Sequence, residues 1–208
     1  MKLHSLRSLI KVTSLALISG LLFTSCGSSP VRDRSNKMIV SVKDQTMLLT
    51  KDGEPVKAYR ISTSKFGLGN TRNSKKTPLG KMEIARKIGG GSRSGTVFKS
   101  RRKTGEVLKP NTPGRDPIVT RIMWLKGNEY RNRDTYARYI YIHGTPEEFN
   151  IGKPVSYGCI RMKSRDIIDL YSRVGLGAEV KIISGRLYKT REGRKSAAVL
   201  QKAYSGGA

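Results

Sequence analysis

Short segments with apolar or alternating side chains recur along most of the chain, separated by turn residues. This pattern predicts β-strands rather than long helices. The predicted strands cover residues 38–43, 46–50, 56–62, 80–88, 118–125, 137–143 and 178–184. Asp52-Gly53 predicts a tight turn between the second and the third strand. So many strands predict a mostly β fold, a β-sandwich or a partly closed barrel with one or two short helices.

Three segments depart from the strand pattern. Residues 89–117 contain few apolar side chains and predict a long loop that could contain a hairpin. A single helix is predicted after Ser164, which is suited to cap it, and before Gly175, which is suited to end it. Its apolar residues recur at intervals of three and four positions: Ile167, Leu170, Tyr171 and Val174. Residues 185–208 are basic and predict a frayed C-terminal tail.

The sixth predicted strand alternates between two kinds of side chain. Ile140 and Ile142 lie on one face, and Tyr139, Tyr141 and His143 lie on the other. The strand therefore presents an aliphatic face and a second face that ends in an imidazole.

The first 25 residues have the composition of an export signal. Lys2, Arg7 and Lys11 provide a basic start, and residues 12–23 form an apolar run that is too short to span a bilayer comfortably. We therefore expect the protein to leave the cytoplasm.

The residues around Cys26 resemble the lipobox of bacterial lipoproteins. Small residues precede the cysteine, although Phe23 stands where leucine is usual. The resemblance implies a cleaved signal peptide at 1–25, a lipid on Cys26 and a polar tether over 26–36. Gly27 in the next position favours the outer membrane, with the protein facing the periplasm. An ordinary signal peptide or an uncleaved anchor is the alternative.

The charge balance limits the class of partner. The chain has 41 Lys and Arg against 15 Asp and Glu, a net charge of +26. Three of these cations precede Cys26, so the remaining chain carries +23. Such a charge favours polyanions or anionic surfaces. No nucleic-acid-binding motif is present, so an exported protein is expected to meet wall polymers and anionic lipids rather than nucleic acid.

One thiol and one imidazole stand out because both residue types are scarce. With Cys26 lipidated, Cys159 is the only free thiol, and His143 is the only histidine outside the export signal. A nearby imidazole can take the proton of a thiol and produce a thiolate that attacks carbonyl carbons. Gly158 allows a tight turn whose amides point at a developing oxyanion. Cys159 and His143 are therefore candidate nucleophile and base.

Two other interpretations concern the same pair. Cys159 could be an inert core residue while His143 ends a strand with a satisfied hydrogen bond. Metal binding is poorly supported, because one histidine and one cysteine cannot fill the four-ligand shell of zinc.

Three motifs together resemble the L,D-transpeptidases with a YkuD-type catalytic domain. They are HGT at 143–145, SYGCIRM at 156–162 and TPLG at 77–80. The resemblance covers about residues 37–184. It implies a β-sandwich-like catalytic domain that acts on peptidoglycan and needs no metal or organic cofactor.

The resemblance also implies the roles of individual residues. The family's nucleophile falls on Cys159 and its base on His143, whose ring is oriented by the backbone carbonyl of Gly144. The amides of Tyr157, Gly158 and Cys159 would form the oxyanion hole.

Three further positions around the nucleophile have candidate roles. Arg161 could bind a substrate carboxylate in a bidentate manner, or form a structural ion pair. Ser156 could shape the turn and line the substrate site. Tyr157 is a departure, because the family usually has histidine there, and this change bears on substrate orientation more than on the presence of a nucleophile.

The activity that the resemblance implies is transfer between stem peptides. The thiolate attacks the L-centred bond before the terminal D-alanine of a tetrapeptide stem, and the thioester passes to a side-chain amine of another stem. The enzyme would contribute to cell wall biogenesis and cell shape as a monomer. Water as acceptor would make it an L,D-carboxypeptidase or a hydrolase that detaches wall-linked protein, and a protein lysine would make it a lipoprotein-attaching enzyme. A non-catalytic wall-binding lipoprotein is a further alternative.

Overall fold

The computed structural model describes residues 31–205, and one mixed β-sheet dominates this part of the chain. Its ten strands are β1 (Asn36–Ser41), β2 (Thr46–Lys51), β3 (Glu54–Arg60), β4 (Gly80–Ile88), β5 (Thr96–Lys99), β6 (Arg102–Val107), β7 (Ile118–Gly127), β8 (Tyr141–Gly144), β9 (Ile160–Met162) and β10 (Glu179–Ile183). Their order is β3-β2-β1-β10-β4-β7-β5-β6, with β8 paired to β7 and β9 to β8. The pairs β1–β10 and β8–β9 are parallel. The mostly β class is confirmed, and the sheet is not closed into a barrel.

Three α-helices and three short 3-10 helices complete the fold of the described residues. The α-helices are α1 (Ser164–Arg173), α2 (Arg191–Arg194) and α3 (Ala197–Ser205), and the 3-10 helices are Tyr130–Thr135, Glu148–Asn150 and Leu187–Lys189. α1 is the predicted helix, but its N-cap is Lys163. Ser164 lies inside the first turn, where its amide donates to the Glu148 carboxylate at 2.7 Å and its hydroxyl lies 2.8 Å from that of Thr120.

The main core lies between α1 and one face of the sheet. Ile167 and Leu170 of α1 belong to the same buried cluster as Ile142 of β8 and Ile160 of β9. All four side chains are fully buried. The apolar face of α1 therefore packs against the apolar face of β8 and β9. This contact holds the two strands against the helix.

Two strands around the sixth predicted segment differ from expectation. β8 begins at Tyr141, because Tyr139 has a positive φ of 57° that interrupts extended backbone. β9 was not predicted, since three residues are too few for a recognisable alternation.

The segment predicted as a long loop contains a hairpin. β5 and β6 pair with each other, and β5 also pairs with β7. Ser100 and Arg101 make the turn, with φ of 48° and 67°. The hairpin brings Arg101 over the aromatic side chains of Trp124 and Tyr139.

The prediction of a frayed C-terminal tail is wrong for residues 187–205. Leu187 and Leu200 are buried in a second apolar cluster with Ile39, Leu48 and Ala58. The leucines that cover this face of the sheet are spaced among basic residues. The sequence pattern of the segment therefore did not predict that it packs on the sheet.

The predicted tether is also fixed near its end. The Asp33 amide donates to the Leu176 carbonyl at 2.7 Å, and the Asp33 carboxylate accepts from the Gly175 amide at 2.7 Å. The signal segment 1–25 and Cys26 lie outside the described residues. Between residues 31 and 205, no helix is long and apolar enough to cross a bilayer.

Candidate active site

The parallel pair β8–β9 brings the predicted nucleophile and base to one face of the sheet. His143 is opposite Arg161 in the register, and Ile142 is opposite Ile160. Side chains alternate along each strand, so the isoleucines enter the main core while His143 and Arg161 lie on the other face. Cys159 directly precedes β9 and packs with the aromatic cluster on that second face. His143 and Cys159 are thus diagonal neighbours.

The His143 side chain is buried and oriented by its own strand. It is 5% exposed, and Nδ1 lies 2.9 Å from the Gly144 carbonyl oxygen. A carbonyl only accepts, so Nδ1 carries the proton of the neutral ring and Nε2 keeps a free lone pair. A side chain at Gly144 would meet the Val119 carbonyl oxygen at 2.7 Å, so glycine is required next to the histidine.

Burial also sets the protonation state of His143. It lowers the pKa to about 4, and the positive charge of Arg161 acts in the same direction. The hydrogen bond to Gly144 raises the pKa by a smaller amount. His143 is therefore neutral at pH 7, with Nε2 unprotonated.

The Cys159 thiol bonds to the backbone rather than to His143. Sγ donates to the Tyr139 carbonyl at 3.4 Å and accepts from the Tyr141 amide at 3.4 Å. Among the hydrogen bonds of residues 31–205, none joins Cys159 to His143. Burial raises the thiol pKa to about 11, against the opposing effects of the Tyr141 amide and of Arg161. The pair at rest is therefore a neutral thiol and a neutral imidazole.

The turn before Cys159 is held by Ser156 and Thr77. Ser156 Oγ donates to the Cys159 carbonyl at 2.6 Å and accepts from the Gly158 amide at 3.2 Å. Thr77 Oγ1 donates to the Gly158 carbonyl at 3.1 Å. Gly158 has a φ of 121°, and a side chain there would meet the Lys76 carbonyl oxygen at 3.3 Å. Ser156 thus shapes the turn through these two hydrogen bonds.

The Gly158 amide is the point at which the turn departs from the expected oxyanion hole. Because it already donates to Ser156 Oγ, this amide is not free to meet a substrate oxygen in the structure. The amides of Tyr157 and Cys159 remain the predicted hydrogen-bond donors to the oxyanion.

Arg161 is occupied by two carboxylates of the protein itself. Its Nη2 lies 2.5 Å from Asp116 and its Nη1 lies 3.5 Å from Glu147. The residue is 8% exposed, and Asp116 also accepts from the Thr145 hydroxyl. This arrangement favours the structural ion pair over the carboxylate-binding role. Sequence reasoning missed both acidic partners, since they lie 45 and 14 positions away.

An aromatic cluster beside Cys159 was also missed. The Trp124 ring stacks on Tyr136 with centroids 4.0 Å apart and meets Tyr141 edge-on at 5.4 Å. The Arg101 guanidinium lies 5.1 Å from the Trp124 ring, over the same cluster. Cys159 packs against these rings, which accounts for its partial burial. The rings come from several segments, so no local pattern reveals them.

A large cavity lies away from these residues. It has a volume of about 750 Å³ between β3, the start of α1 and α3, and its lining includes Arg60, Lys163 and Lys202. Neither Cys159 nor His143 lines it. Within residues 31–205, no group of three or more His, Cys, Asp or Glu side chains is placed to hold a metal ion.

A comparison with known families decides the classification. The family model of the YkuD L,D-transpeptidase catalytic domain matches residues 35–182. The chain belongs to this family. The matched region contains all three motifs and both strands of the β8–β9 pair. It also agrees within two residues at each end with the region of resemblance found from the motifs.

Individual relatives match over shorter stretches. The chain is 41% identical over 61 residues to "Probable L,D-transpeptidase YbiS" of Escherichia coli K12, which covers 27% of this chain and 20% of the relative. It is 45% identical over 49 residues to "Probable L,D-transpeptidase YcfS" of the same organism, covering 24% and 15%. The chain thus matches a fifth or less of the length of these relatives.

Solved structures are similar at greater distance. An L,D-transpeptidase from Mycobacterium smegmatis has a TM-score of 0.46 and 17% identity, over 72% of this chain and 59% of that chain. The family assignment rests on the family model over residues 35–182.

Proposed function

We propose that the protein is a peptidoglycan L,D-transpeptidase in which Cys159 is the nucleophile and His143 the general base and acid. The observation that carries this proposal is the His143 ring, held by the Gly144 carbonyl with Nε2 unprotonated, on the same face as the only free thiol of the described residues. Acyl transfer through a thioester requires at least a thiol and an unprotonated base near it.

The first half of the reaction cleaves the stem. The Cys159 proton passes to His143 Nε2 as sulfur bonds to the carbonyl carbon of the L-centred bond before the terminal D-alanine. The carbonyl oxygen becomes an oxyanion beside the Tyr157 and Cys159 amides. Collapse breaks the carbon–nitrogen bond, and D-alanine leaves with the proton from His143. A thioester on Cys159 is left.

The second half transfers the acyl group. A side-chain amine of another stem attacks the thioester carbon, and His143 takes the proton of the amine. The carbon–sulfur bond then breaks, and the sulfur regains a proton from His143. The product is a cross-link between two stems, and the enzyme returns to its neutral resting state.

The neutral resting pair shapes the first step. With thiol pKa about 11 and imidazole pKa about 4, a preformed thiolate–imidazolium pair is disfavoured. Proton transfer therefore accompanies attack on the carbonyl rather than preceding it. The bond from Sγ to the Tyr139 carbonyl must also break when the substrate arrives.

The acceptor and the location belong to the proposal as well. Water or a protein lysine in place of the stem amine would give the hydrolase or the lipoprotein-attaching enzyme, and loss of chemistry would leave a wall-binding lipoprotein. We propose an exported protein anchored through a lipid on Cys26 to the outer membrane, facing the periplasm. The charge of +23 beyond the signal segment supports association with anionic wall polymers and lipids.

Purified disaccharide-tetrapeptides test the reaction directly. The full chain, its Cys159→Ala variant and a control variant, Lys51→Gln, are incubated with substrate and analysed by mass spectrometry. We expect a dimer lacking one alanine and an acyl-enzyme with the parent and control proteins. Loss of Cys159 should reduce product by at least about a thousandfold.

Other results of this experiment would support an alternative function or contradict the assignment of the nucleophile. Monomer lacking alanine, without dimer, identifies water as the acceptor. Equal product with Cys159→Ala would contradict the assignment of the nucleophile. Binding to peptidoglycan without product or acyl-enzyme would support the wall-binding lipoprotein.

A further inference from the structure

Two lysines and two aromatic rings form a surface cluster next to the turn that carries Cys159. Tyr157 and Phe66 pack with ring centroids 5.6 Å apart. Lys65 Nζ lies 4.6 Å from the Tyr157 ring centroid and 3.1 Å from its hydroxyl. Lys75 Nζ lies 5.7 Å from the Tyr157 centroid and 5.9 Å from that of Phe66. We call these four residues the lysine–tyrosine cluster.

Two hydrogen bonds hold the backbones of Lys65 and Lys75 near the active-site turn. The Lys65 amide donates to the Ser156 carbonyl at 3.1 Å, and Ser64 Oγ donates to the Lys75 carbonyl at 2.6 Å. Tyr157 follows Ser156 directly and precedes Cys159 by two positions. The backbones of the two lysines are therefore held close to the turn that carries the nucleophile.

The ammonium groups of the cluster have no acidic partner. None of the ion pairs of residues 31–205 includes Lys65 or Lys75. Lys65 is the main cause of the lowered pKa of the Tyr157 phenol, which is consistent with unneutralised positive charge. Tyr157 is 55% exposed and Phe66 43%, so an incoming ligand can reach both rings and both cations.

The two arginines whose charges act on the Cys159 thiol are already engaged. Arg161 pairs with Asp116 and Glu147. Arg138 donates to the carbonyls of Gly69 and Lys76 at 3.1 and 2.6 Å. Lys65 and Lys75 thus remain available for an anion at this turn.

We propose that Lys65, Lys75 and Tyr157 bind a free carboxylate of the stem peptide and so determine which stems are used. This inference rests on the proposed function and adds the charge of the preferred substrate to it. The two ammonium groups supply the attraction, and the Tyr157 hydroxyl supplies a hydrogen-bond donor to a carboxylate oxygen. Tyrosine at position 157 then has a substrate-selecting role of its own.

Two carboxylates of a stem could be the one recognised. One is the terminal carboxylate of the D-residue, and the other is the second carboxylate of a diamino acid. Synthetic stems with a carboxamide in place of one or the other distinguish these sources, since each replacement removes a single negative charge and keeps the size nearly unchanged.

The test compares binding and turnover for these stems. The variants are Lys65→Gln with Lys75→Gln, the charge-conserving Lys65→Arg with Lys75→Arg, and the control Lys51→Gln on the exposed end of β2. Binding is measured by calorimetry on full chains that also carry Cys159→Ala, so it does not require activity. Turnover is measured on chains with Cys159 intact.

We expect the double Gln variant to bind the acidic stem about tenfold more weakly, with KM raised to the same extent and kcat within about twofold. The parent protein should bind one of the two carboxamide stems about tenfold more weakly than the acidic stem. The affinity for that carboxamide stem should be the same in the double Gln variant as in the parent. The Arg variant should restore binding to within about threefold, and the control should match the parent.

The outcomes separate this inference from the proposed function. Equal loss of affinity for acidic stems and for both carboxamide stems, or no loss at all, would overturn carboxylate recognition by the cluster. Charge-dependent binding without turnover would uphold the cluster and reject the enzyme. Turnover that ignores stem charge in every variant would uphold the enzyme and reject the cluster.

Discussion

The two faces of the β8–β9 pair are almost equally buried and yet opposite in chemistry. On the core face, Ile142 and Ile160 are fully buried against α1. On the other face, His143 and Arg161 are 5% and 8% exposed. The isoleucines pack within an apolar cluster. His143 contacts a backbone carbonyl, and Arg161 contacts two carboxylates.

The comparison teaches that the same burial has different consequences on the two faces. Burying an aliphatic side chain stabilises the fold in proportion to its area. Burying a titratable group favours its uncharged form. His143 stays neutral because burial lowers its pKa to about 4. Cys159 stays neutral because burial raises its pKa to about 11. Arg161 brings a positive charge to this buried face, where the carboxylates of Asp116 and Glu147 pair with it.

The largest stability effect is expected on the core face. Ile142→Ala should lower the free energy of unfolding by about 2–5 kcal/mol, because it removes a fully buried side chain and leaves a cavity. Val107→Ala, at a residue that is 42% exposed, is the matched control and should cost less than about 0.5 kcal/mol. Urea denaturation measures both. Similar values for the two variants would mean that the core face does not anchor the strand pair.

A smaller effect is expected from the ion pair on the polar face. Asp116→Asn should lower the free energy of unfolding by about 1–3 kcal/mol, since Arg161 keeps only the longer contact to Glu147. Glu106→Gln breaks a more exposed pair with Arg115 and should cost about 0–1 kcal/mol. Equal costs in urea denaturation would show that the buried pair contributes no more than a surface pair.

The sequence predicted those features that depend on local periodicity. β4 has the predicted bounds, and the alternation of Ile140 and Ile142 with Tyr141 and His143 separates the two faces as expected. The helical spacing of α1 was found for the same reason, although Ser164 proved to lie inside the helix. Each of these signals is contained within about ten residues.

The features that the sequence did not predict depend on distant partners. The sequence around Arg161 does not predict its ion pair with Asp116, which lies in the segment predicted as a loop. The cluster of Trp124 with Tyr136 and Tyr141 joins separate segments, and so its effect on the Cys159 thiol could not be foreseen. Scarcity pointed to the candidate thiol and imidazole, but only tertiary packing determines their protonation at rest.

The smallest and most specific prediction concerns this protonation of Cys159. With a pKa of about 11, only about one thiol in ten thousand is ionised at pH 7 in the native protein, compared with about one in a hundred when it is unfolded and has its ordinary pKa of 9.0. Iodoacetamide alkylation of Cys159, followed by peptide mass spectrometry, should therefore rise about tenfold per pH unit from pH 7 to 10 in native protein. In urea, the rate should level off above pH 9.

The sign of the accompanying stability change follows from the same pKa. Above pH 9, the unfolded thiol loses a proton that the native thiol keeps, so the Cys159 contribution to stability declines as pH rises from 9 toward 11. Cys159→Ala should flatten this part of the profile, because it removes the titrating group. A native alkylation midpoint near pH 7 would instead require a thiolate–imidazolium pair at rest. The polar face would then hold a charge pair despite its burial, and proton transfer would precede substrate binding.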